Sequence, residues 1–407
     1  TMAKDTLVSG CEEPPDLELS PASRSYRLRA KYWQHTHLAT IVRKPLVGCG
    51  EDTLLGHAKD FATLLDASEP EIQPEELIVG ISLALPQDRK ALNLGYYNSH
   101  YPPGYATLLR LGLAGIRDQA RRRLQQETDA ERREFLFAVN VAYDAACRYV
   151  ARYAHHARSL AMEEPSPTRA TELRRIADTC EELASAAPSS LHAALQLVQF
   201  VRTLGGNGCL GRFDQWLYPF YARDIAAGIL TQEAAQELLE CLFIKMNEFG
   251  TEAELAALYA VEGQPFTATS NDSLRNIALA GQTPQGQDAS NRLTTMCLQA
   301  SARLMLPEPK LNVRFFPGSP RHLLHDCCRV LAKGTNTLAI FNDDVVLPAL
   351  GRLGIPIEDA RDYCNDGCSE IIIGGKGTIR FWVYDSLAVL TDTVLQADQA
   401  PYATFEE

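Results

Sequence analysis

The order of two apolar patterns along the chain constrains its fold more than any other feature. Long stretches with apolar residues about every 3.6 positions dominate from residue 27 onward and predict helices. Short apolar runs bounded by turn residues lie between them and predict buried strands. Helix and strand alternate in the C-terminal half, so the predicted fold class is α/β, with parallel strands joined by helices.

The predicted helices cover residues 105–126, 128–162, 167–186, 190–204, 231–249 and 288–306. The predicted strands cover residues 77–81, 276–280, 311–316, 337–341 and 370–373. Three helix starts carry capping signals: Ser166 before a proline, Thr231 before an acidic first turn, and Thr128 with Glu131 as a capping box.

No repeat, low-complexity tract or linker divides the chain. Residues 1–25 predict an irregular N-terminal arm, and residues 26–407 predict one large domain. The net charge is −12, with 39 Lys and Arg against 51 Asp and Glu, which argues against a nucleic-acid partner. The sequence has no run of eighteen apolar residues and no signal-peptide pattern, so we expect no membrane association and a cytoplasmic location.

The 11 cysteines are odd in number and scattered, a pattern typical of free thiols in a reducing compartment. Their spacing does not match a zinc site, so no metal site is predicted. The sequence also lacks a glycine-rich phosphate-binding motif, so we expect no cofactor bound in this chain.

The segment 363–376 is the densest candidate for chemistry. In an extended backbone, residues two apart point to the same side, so the thiol of Cys368 and the carboxylate of Glu370 face one cavity about 6.5 to 7 Å apart along the chain. Gly367 on one side and Gly374 with Gly375 on the other allow sharp turns. Taken alone, Gly-Cys-x-Glu is more typical of a buried cysteine beside a strand.

Neighbouring motifs make the functional interpretation of this segment more specific. The stretch IFNDDVVLPAL at 340–350 is followed by EDARDY at 358–363 and GCSE at 367–370. LGRFDQWLYPFY lies upstream at 210–221, and GQTP, LPEP and LNVR lie between residues 281 and 314. In order and spacing, these motifs resemble the active-site half of glycyl radical enzymes, the pyruvate formate-lyase family.

The resemblance implies a ten-stranded α/β barrel made of two five-stranded parallel halves lying antiparallel, of which this chain is the N-terminal part. It also implies that residues 363–376 form a finger loop inside the barrel. Cys368 matches the cysteine that becomes a thiyl radical and takes a hydrogen atom from substrate carbon. Glu370 matches the general base of the dehydratase and eliminase branch.

The resemblance extends to the substrate pocket. His100 matches a histidine that binds substrate hydroxyls, although a hydrogen-bonded core histidine is an equal alternative. Cys209 stands where the glycerol and diol dehydratases have a serine, and Trp382 where they have an aspartate, with Asp385 three residues later. Together with Arg380, these departures favour a different substrate, for example an anionic one, over glycerol or propanediol.

The family's radical glycine lies in a C-terminal Arg-Val-x-Gly-aromatic segment that this sequence does not contain. We therefore expect the C-terminal glycyl radical domain in a continuation of the chain or on another polypeptide, and no activity from this chain alone. The family implies two partners, a radical-SAM iron-sulfur activating enzyme and a second copy in a homodimer.

Three functions remain open. The first is a radical C–X lyase of the dehydratase type, which Glu370 favours. The second is an arylacetate-type decarboxylase or a carbon–carbon lyase, which the aromatic residues after Lys376 favour slightly. The third is a catalytically silent half-barrel that pairs with a complete enzyme.

Overall fold

The computed structural model describes residues 17–35, 46–81, 92, 102–205, 209–248, 275–335, 337–367 and 370–377. The first part is helical: α1 (Arg24–His35), α2 (Leu54–Ala67), α3 (Tyr105–Gln126), α4 (Ala130–Glu163), α5 (Pro167–Ser185), α6 (Leu191–Gly205), α7 (Phe213–Ala226) and α8 (Gln232–Met246). The second part alternates: β1 (Asn276–Ala280), α9 (Arg292–Leu304), β2 (Lys310–Phe315), α10 (Arg321–Ala332), β3 (Leu338–Asn342), α11 (Asp343–Arg352), α12 (Ile357–Arg361), β4 (Tyr363–Asp366) and β5 (Glu370–Ile373). Within these ranges, no helix combines the length and the apolar character needed to cross a membrane.

Strands β1, β2 and β3 form a parallel sheet in that order, with Ala278 opposite Asn312 and Val313 opposite Ile340. Helices α9 and α10 make the crossovers, so the predicted α/β class with parallel strands is confirmed. The two faces of the sheet have different neighbours. The face that contains Ile277 packs into the main helical core. The opposite face contains Ala278, which packs against β4 and β5.

The predicted strand at 370–373 exists, but it does not join the parallel sheet. It pairs antiparallel with β4 as a separate two-stranded hairpin. The predicted strand at 77–81 is wrong, because α6 side chains occupy the hydrogen-bonding positions of this segment. Gln196 accepts from the Val79 amide at 2.8 Å and donates to the Val79 carbonyl at 2.7 Å, and Gln199 donates to the Gly80 carbonyl.

The helix boundaries follow the capping residues closely. Ser166 and Thr231 are N-caps as predicted, since their hydroxyls accept from backbone amides three residues on. The predicted capping box at Thr128 is wrong. The N-cap of α4 is Asp129, whose carboxylate accepts from the Arg132 amide at 2.9 Å. Thr128 therefore lies outside the helix.

Candidate active site

The candidate site is built on the hairpin formed by β4 and β5. Its ladder pairs Tyr363 with Ile373, Cys364 with Ile372, Asn365 with Ile371 and Asp366 with Glu370. Paired residues share a face, so Cys364, Asp366, Glu370 and Ile372 lie on one face of the hairpin.

Gly367 begins the tip of the hairpin. Its φ of 49° lies in the left-handed region, which glycine adopts without steric cost. The Asp366 carboxylate accepts from the Gly367 amide at 2.8 Å and thereby fixes the start of the turn. The tip continues into Cys368 and Ser369, which lie outside the described residues. The sequence forms a hairpin here because a turn-forming glycine separates two short runs that both pair well as strands.

The base of the hairpin is held by a buried arginine of β2. Arg314 Nε and Nη2 donate to Asp343 at 3.0 and 2.9 Å, and Arg314 Nη1 donates to the Tyr363 carbonyl at 2.9 Å. The Tyr363 hydroxyl donates to Asp343 at 2.8 Å, and the Arg314 guanidinium lies 3.8 Å from the centre of the Tyr363 ring. Burial, together with the Asp343 charge, raises the pKa of Tyr363 although Arg314 opposes the shift.

The end of the hairpin docks on the start of α3. The Gly375 amide donates to the Pro102 carbonyl at 3.3 Å, and Gly375 has a φ of +73°. A Cβ atom at Gly375 would lie 3.0 Å from the Gly104 Cα, so the close approach requires glycine.

One face of the hairpin packs against the segment that contains Cys209. The Leu210 amide donates to the Asn276 carbonyl, and the Ala278 amide donates to the Gly211 carbonyl, both at 2.8 Å, which places residues 209–211 alongside β1. Cys209, Ala278, Cys364 and Ile372 form one buried apolar cluster there.

The Cys209 thiol is fully buried in this cluster, next to Cys364. Burial, followed by Cys364 and then the charge of Asp366, raises the pKa of Cys209 well above its ordinary value. The Cys364 thiol also donates to the Ile372 carbonyl at 3.4 Å, across the hairpin ladder. This wall therefore holds a protonated thiol rather than a thiolate.

Two carboxylates stand at the tip end of the same hairpin face. Glu370 is directly opposite Asp366 in the ladder. Glu370 is only partly buried, although its Oε2 atom is shielded from solvent, whereas Asp366 is 1% exposed. Of these two carboxylates, Glu370 is therefore the one that remains partly exposed at the tip end of the hairpin.

Asn276, the first residue of β1, holds the tip from below. Its side-chain amide donates to the Gly367 carbonyl at 2.9 Å, and the side chain is 2% exposed. Because its backbone carbonyl also binds the Leu210 amide, Asn276 joins the hairpin tip to the Cys209 segment.

The predicted site residues divide into two groups. Glu370 and Cys209 lie within the described residues, and the hairpin brings both to one face, with Cys209 behind Cys364 and Glu370 at the tip end. The others lie outside the described residues and stay predictions: Cys368, His100, Arg380, Trp382 and Asp385. In the described part of the chain, no group of three or more His, Cys, Asp or Glu side chains is placed to hold a metal ion.

Sequence reasoning missed Asn276, Arg314 and Cys364 as parts of the site. The alternation of faces in a hairpin centred on the tip predicts that Cys364 shares a face with Glu370. No comparable local signal marks Asn276 or Arg314, because each acts on residues that are distant in sequence.

An apolar cavity of about 490 Å³ lies beside Gly375, lined mainly by side chains of α3, α4 and α6. Neither Cys209 nor Glu370 lines it. This cavity is therefore separate from the hairpin face that carries the candidate chemistry.

Comparison with known proteins identifies the family. A model of the family described as pyruvate formate lyase-like matches residues 89–397. The chain belongs to the pyruvate formate lyase-like family. This family match confirms the resemblance to glycyl radical enzymes that the motifs at 340–370 indicate.

One relative of this pyruvate formate lyase-like chain is the (2S)-3-sulfopropanediol dehydratase of Klebsiella oxytoca. It is 33% identical over 297 residues, which are 70% of this chain and 35% of that protein. The chain thus spans about a third of the length of this curated relative.

Solved structures agree on the fold. The glycerol-bound B12-independent glycerol dehydratase from Clostridium butyricum matches with a TM-score of 0.73 and 25% identity, over 87% of this chain and 55% of that chain. A glycyl radical enzyme from Archaeoglobus fulgidus matches with a TM-score of 0.70 and 24% identity, over 88% of this chain and 54% of that chain. The pyruvate formate lyase-like chain therefore has the fold of the glycyl radical enzyme barrels, as the sequence motifs imply.

Proposed function

We propose that this chain forms the cysteine-loop part of a radical C–X lyase of the dehydratase type, acting on a small hydroxylated molecule. Cys368 is the hydrogen-abstracting residue and Glu370 is the base. Two relatives support the reaction class, since one is named a sulfopropanediol dehydratase and the other a glycerol dehydratase.

The hairpin geometry is the observation that carries the proposal. Gly367 is fixed to β1 through Asn276, and Glu370 begins the return strand on the hairpin face that also holds Asp366. The Cα atom of Cys368 follows that of Gly367 by about 3.8 Å, the length of one trans peptide step. Because Cys368 follows Gly367 directly in the chain, the proposal assigns Cys368 and Glu370 to the same tip, where a small molecule can meet both.

The apolar wall beside the hairpin fits radical chemistry. The thiol on this wall, Cys209, is not the hydrogen-abstracting residue, and burial keeps it protonated. The apolar Ala278 and Ile372 complete this wall. Exclusion of water from such a wall protects a reactive intermediate from side reactions.

A glycyl radical, supplied from outside the described residues, would provide the radical by taking the hydrogen atom of the Cys368 thiol, and the glycine would return that atom to the Cys368 thiyl at the end of the cycle. The Cys368 thiyl then takes a hydrogen atom from the substrate carbon that bears a hydroxyl group. Glu370 accepts the proton of that hydroxyl, and the neighbouring group leaves with its bonding electrons. Return of a hydrogen atom from Cys368 to the product radical restores the thiyl.

The test uses the complete polypeptide that contains this chain, activated anaerobically by its radical-SAM partner. Candidate substrates are glycerol, 1,2-propanediol and 3-sulfopropanediol, with an arylacetate as the probe for the decarboxylase alternative. We expect dehydration of at least one diol, loss of turnover in Cys368→Ser and Glu370→Gln, and an unchanged electron paramagnetic resonance doublet in both variants.

Two results contradict the proposal in different ways. Release of carbon dioxide from the arylacetate, without action on any diol, would establish the decarboxylase alternative. A complete protein that never acquires the doublet under conditions that activate a related dehydratase would favour the silent half-barrel.

A further inference from the structure

The hairpin that carries the candidate site is anchored at its base, at its end beside α3 and at its tip. Arg314 holds its base through the Tyr363 carbonyl, and Asn276 holds its tip through the Gly367 carbonyl. Only the second contact lies directly beside the position of Cys368. In the described part of the chain, Asp366 fixes the turn from within the hairpin, and Asn276 is the side chain from outside the hairpin that binds its tip.

The Asn276 amide is committed to this contact. Its nitrogen donates to the Gly367 carbonyl at 2.9 Å, while its Oδ1 atom is buried without a hydrogen-bond partner in the described part of the chain. A buried amide oxygen without a partner costs free energy, so this residue is poorly explained by stability alone. A role in placing the tip accounts for an asparagine here.

We propose that Asn276 is a positioning residue that sets the place of Cys368 by fixing the carbonyl of Gly367. This inference rests on the proposed function, because it assigns Asn276 a role in the reaction of Cys368. Asn276 acts through the peptide before Cys368 and has no role in the chemical steps. Hydrogen-atom transfer requires close contact between sulfur and substrate carbon, so a displacement of about 1 Å is expected to cost about a hundredfold in rate.

Asn312 provides a matched control. It lies on the neighbouring strand β2, on the same face of the sheet as Asn276, and it is 3% exposed against 2% for Asn276. Its amide nitrogen has no hydrogen-bond partner within the described ranges. Asn276→Ala and Asn312→Ala thus remove the same atoms from equally buried places, but only the first removes the contact to Gly367.

The first measurement is hydrogen–deuterium exchange, followed by mass spectrometry on the chain before any activation. We expect backbone amides of the peptide covering residues 363–373 to exchange at least about tenfold faster in Asn276→Ala than in Asn312→Ala, since the tip loses its anchor. Equal acceleration in the two variants overturns the proposal.

Asn276→Asp tests the hydrogen bond itself and keeps the volume of the side chain. An ionised carboxylate cannot donate to the Gly367 carbonyl, whereas a protonated one can. Because position 276 is buried, we expect the pKa of a carboxyl group there to be raised above its ordinary value. Hairpin exchange is measured as a ratio to that of the unsubstituted protein at each pH, and we expect this ratio to be high at pH 8 and to fall toward one at pH 5. A ratio that does not change with pH overturns the proposal, even where Asn276→Ala fails to fold.

The second measurement uses the complete activated protein. We expect Asn276→Ala to lower kcat about a hundredfold with a KM change below about threefold, and to leave the size of the radical doublet unchanged. Asn312→Ala is expected to keep its kcat within about threefold. An unchanged kcat in Asn276→Ala refutes the positioning role. Faster exchange in an activated protein that transforms no substrate refutes the proposed function, while the anchoring by Asn276 stands.

Discussion

Arg314 and Asp343 meet through two parallel hydrogen bonds at a place where neither side chain reaches solvent. The Nε–Oδ1 distance is 3.0 Å and the Nη2–Oδ2 distance is 2.9 Å, with both side chains 0% exposed. Asp343 is the first residue of α11, and Arg314 also binds the backbone at the start of β4. The pair therefore ties the sheet, a helix and the hairpin together.

Asp343→Asn is expected to lower the free energy of unfolding by about 3 to 5 kcal/mol, because it leaves the Arg314 charge buried without its counter-charge. Chemical denaturation at neutral pH measures the loss. The control is Asp66→Asn, since Asp66 makes the same two-pronged contact with Arg148 on the surface, at 3.1 and 2.7 Å. With side chains 53% and 47% exposed, that pair should contribute at most about 1 kcal/mol. Similar losses in the two variants would contradict the role of burial.

Gly281→Ala is expected to destabilise the protein through the same arginine. Gly281 has a φ of +76°, and a Cβ atom there would lie 2.7 Å from the Arg314 Nε. The substitution therefore combines backbone strain of about 1 to 2 kcal/mol with displacement of Arg314 from Asp343, and we expect a total loss of at least about 3 kcal/mol.

Gly228→Ala separates these two causes. Gly228 has a φ of +66°, but no atom lies within 4 Å of a Cβ placed there. Its loss should be limited to the strain of about 1 to 2 kcal/mol. Thermal or chemical unfolding of the two variants measures the difference, and equal losses would show that contact with Arg314 does not matter.

Alkylation rates test the burial of the Cys209 thiol. Cys327 and Cys328 are adjacent, but burial raises the pKa of Cys327 to about 12, whereas Cys328 is exposed. At pH 8, a pKa of about 12 leaves roughly a thousandfold less thiolate than the ordinary value of 9.0 does. We expect iodoacetamide, followed by peptide mass spectrometry, to label Cys328 quickly and both Cys327 and Cys209 at least about a hundredfold more slowly. Rapid labelling of Cys209 would place it outside the dry wall of the hairpin.

The sequence predicted the parallel sheet well because each strand is a short apolar run bounded by turns. The run at 276–280 coincides with β1, and those at 311–316 and 337–341 are each shifted from β2 and β3 by one residue. Helix ends were predictable where one capping residue decided them, as at Ser166 and Thr231. Such features depend on neighbours within a few residues.

The remaining features depend on contacts between distant residues. The run at 77–81 has the composition of a strand, yet Gln196, about 117 residues away, takes its hydrogen bonds. The orientation of the hairpin depends on Arg314 and Asn276, which reach across 49 and 91 residues to the backbone of the hairpin. Apolar periodicity contains no information on such pairings. The resemblance to the family supplied Cys368 and Glu370 as predictions, but only the fold reveals what holds their neighbour Gly367 and what pairs with Glu370.

The stability of the protein is expected to depend on pH through His192 of α6. Burial lowers the pKa of His192 from 6.5 to about 4, although a hydrogen bond from its Nε2 to the Leu77 carbonyl, at 2.8 Å, opposes the shift. Between pH 6.5 and 4 the unfolded chain binds a proton at this residue and the folded chain does not. The contribution of His192 to the free energy of unfolding is therefore complete above pH 6.5 and decreases as the pH falls, by about 3 kcal/mol down to pH 4.

His192→Gln keeps a donor for the Leu77 carbonyl but does not titrate. Between pH 7 and pH 4, we therefore expect the free energy of unfolding of this variant to fall by about 3 kcal/mol less than that of the unsubstituted protein. Urea unfolding at a series of pH values measures both curves, and parallel curves would show that His192 titrates alike in the folded and unfolded chains.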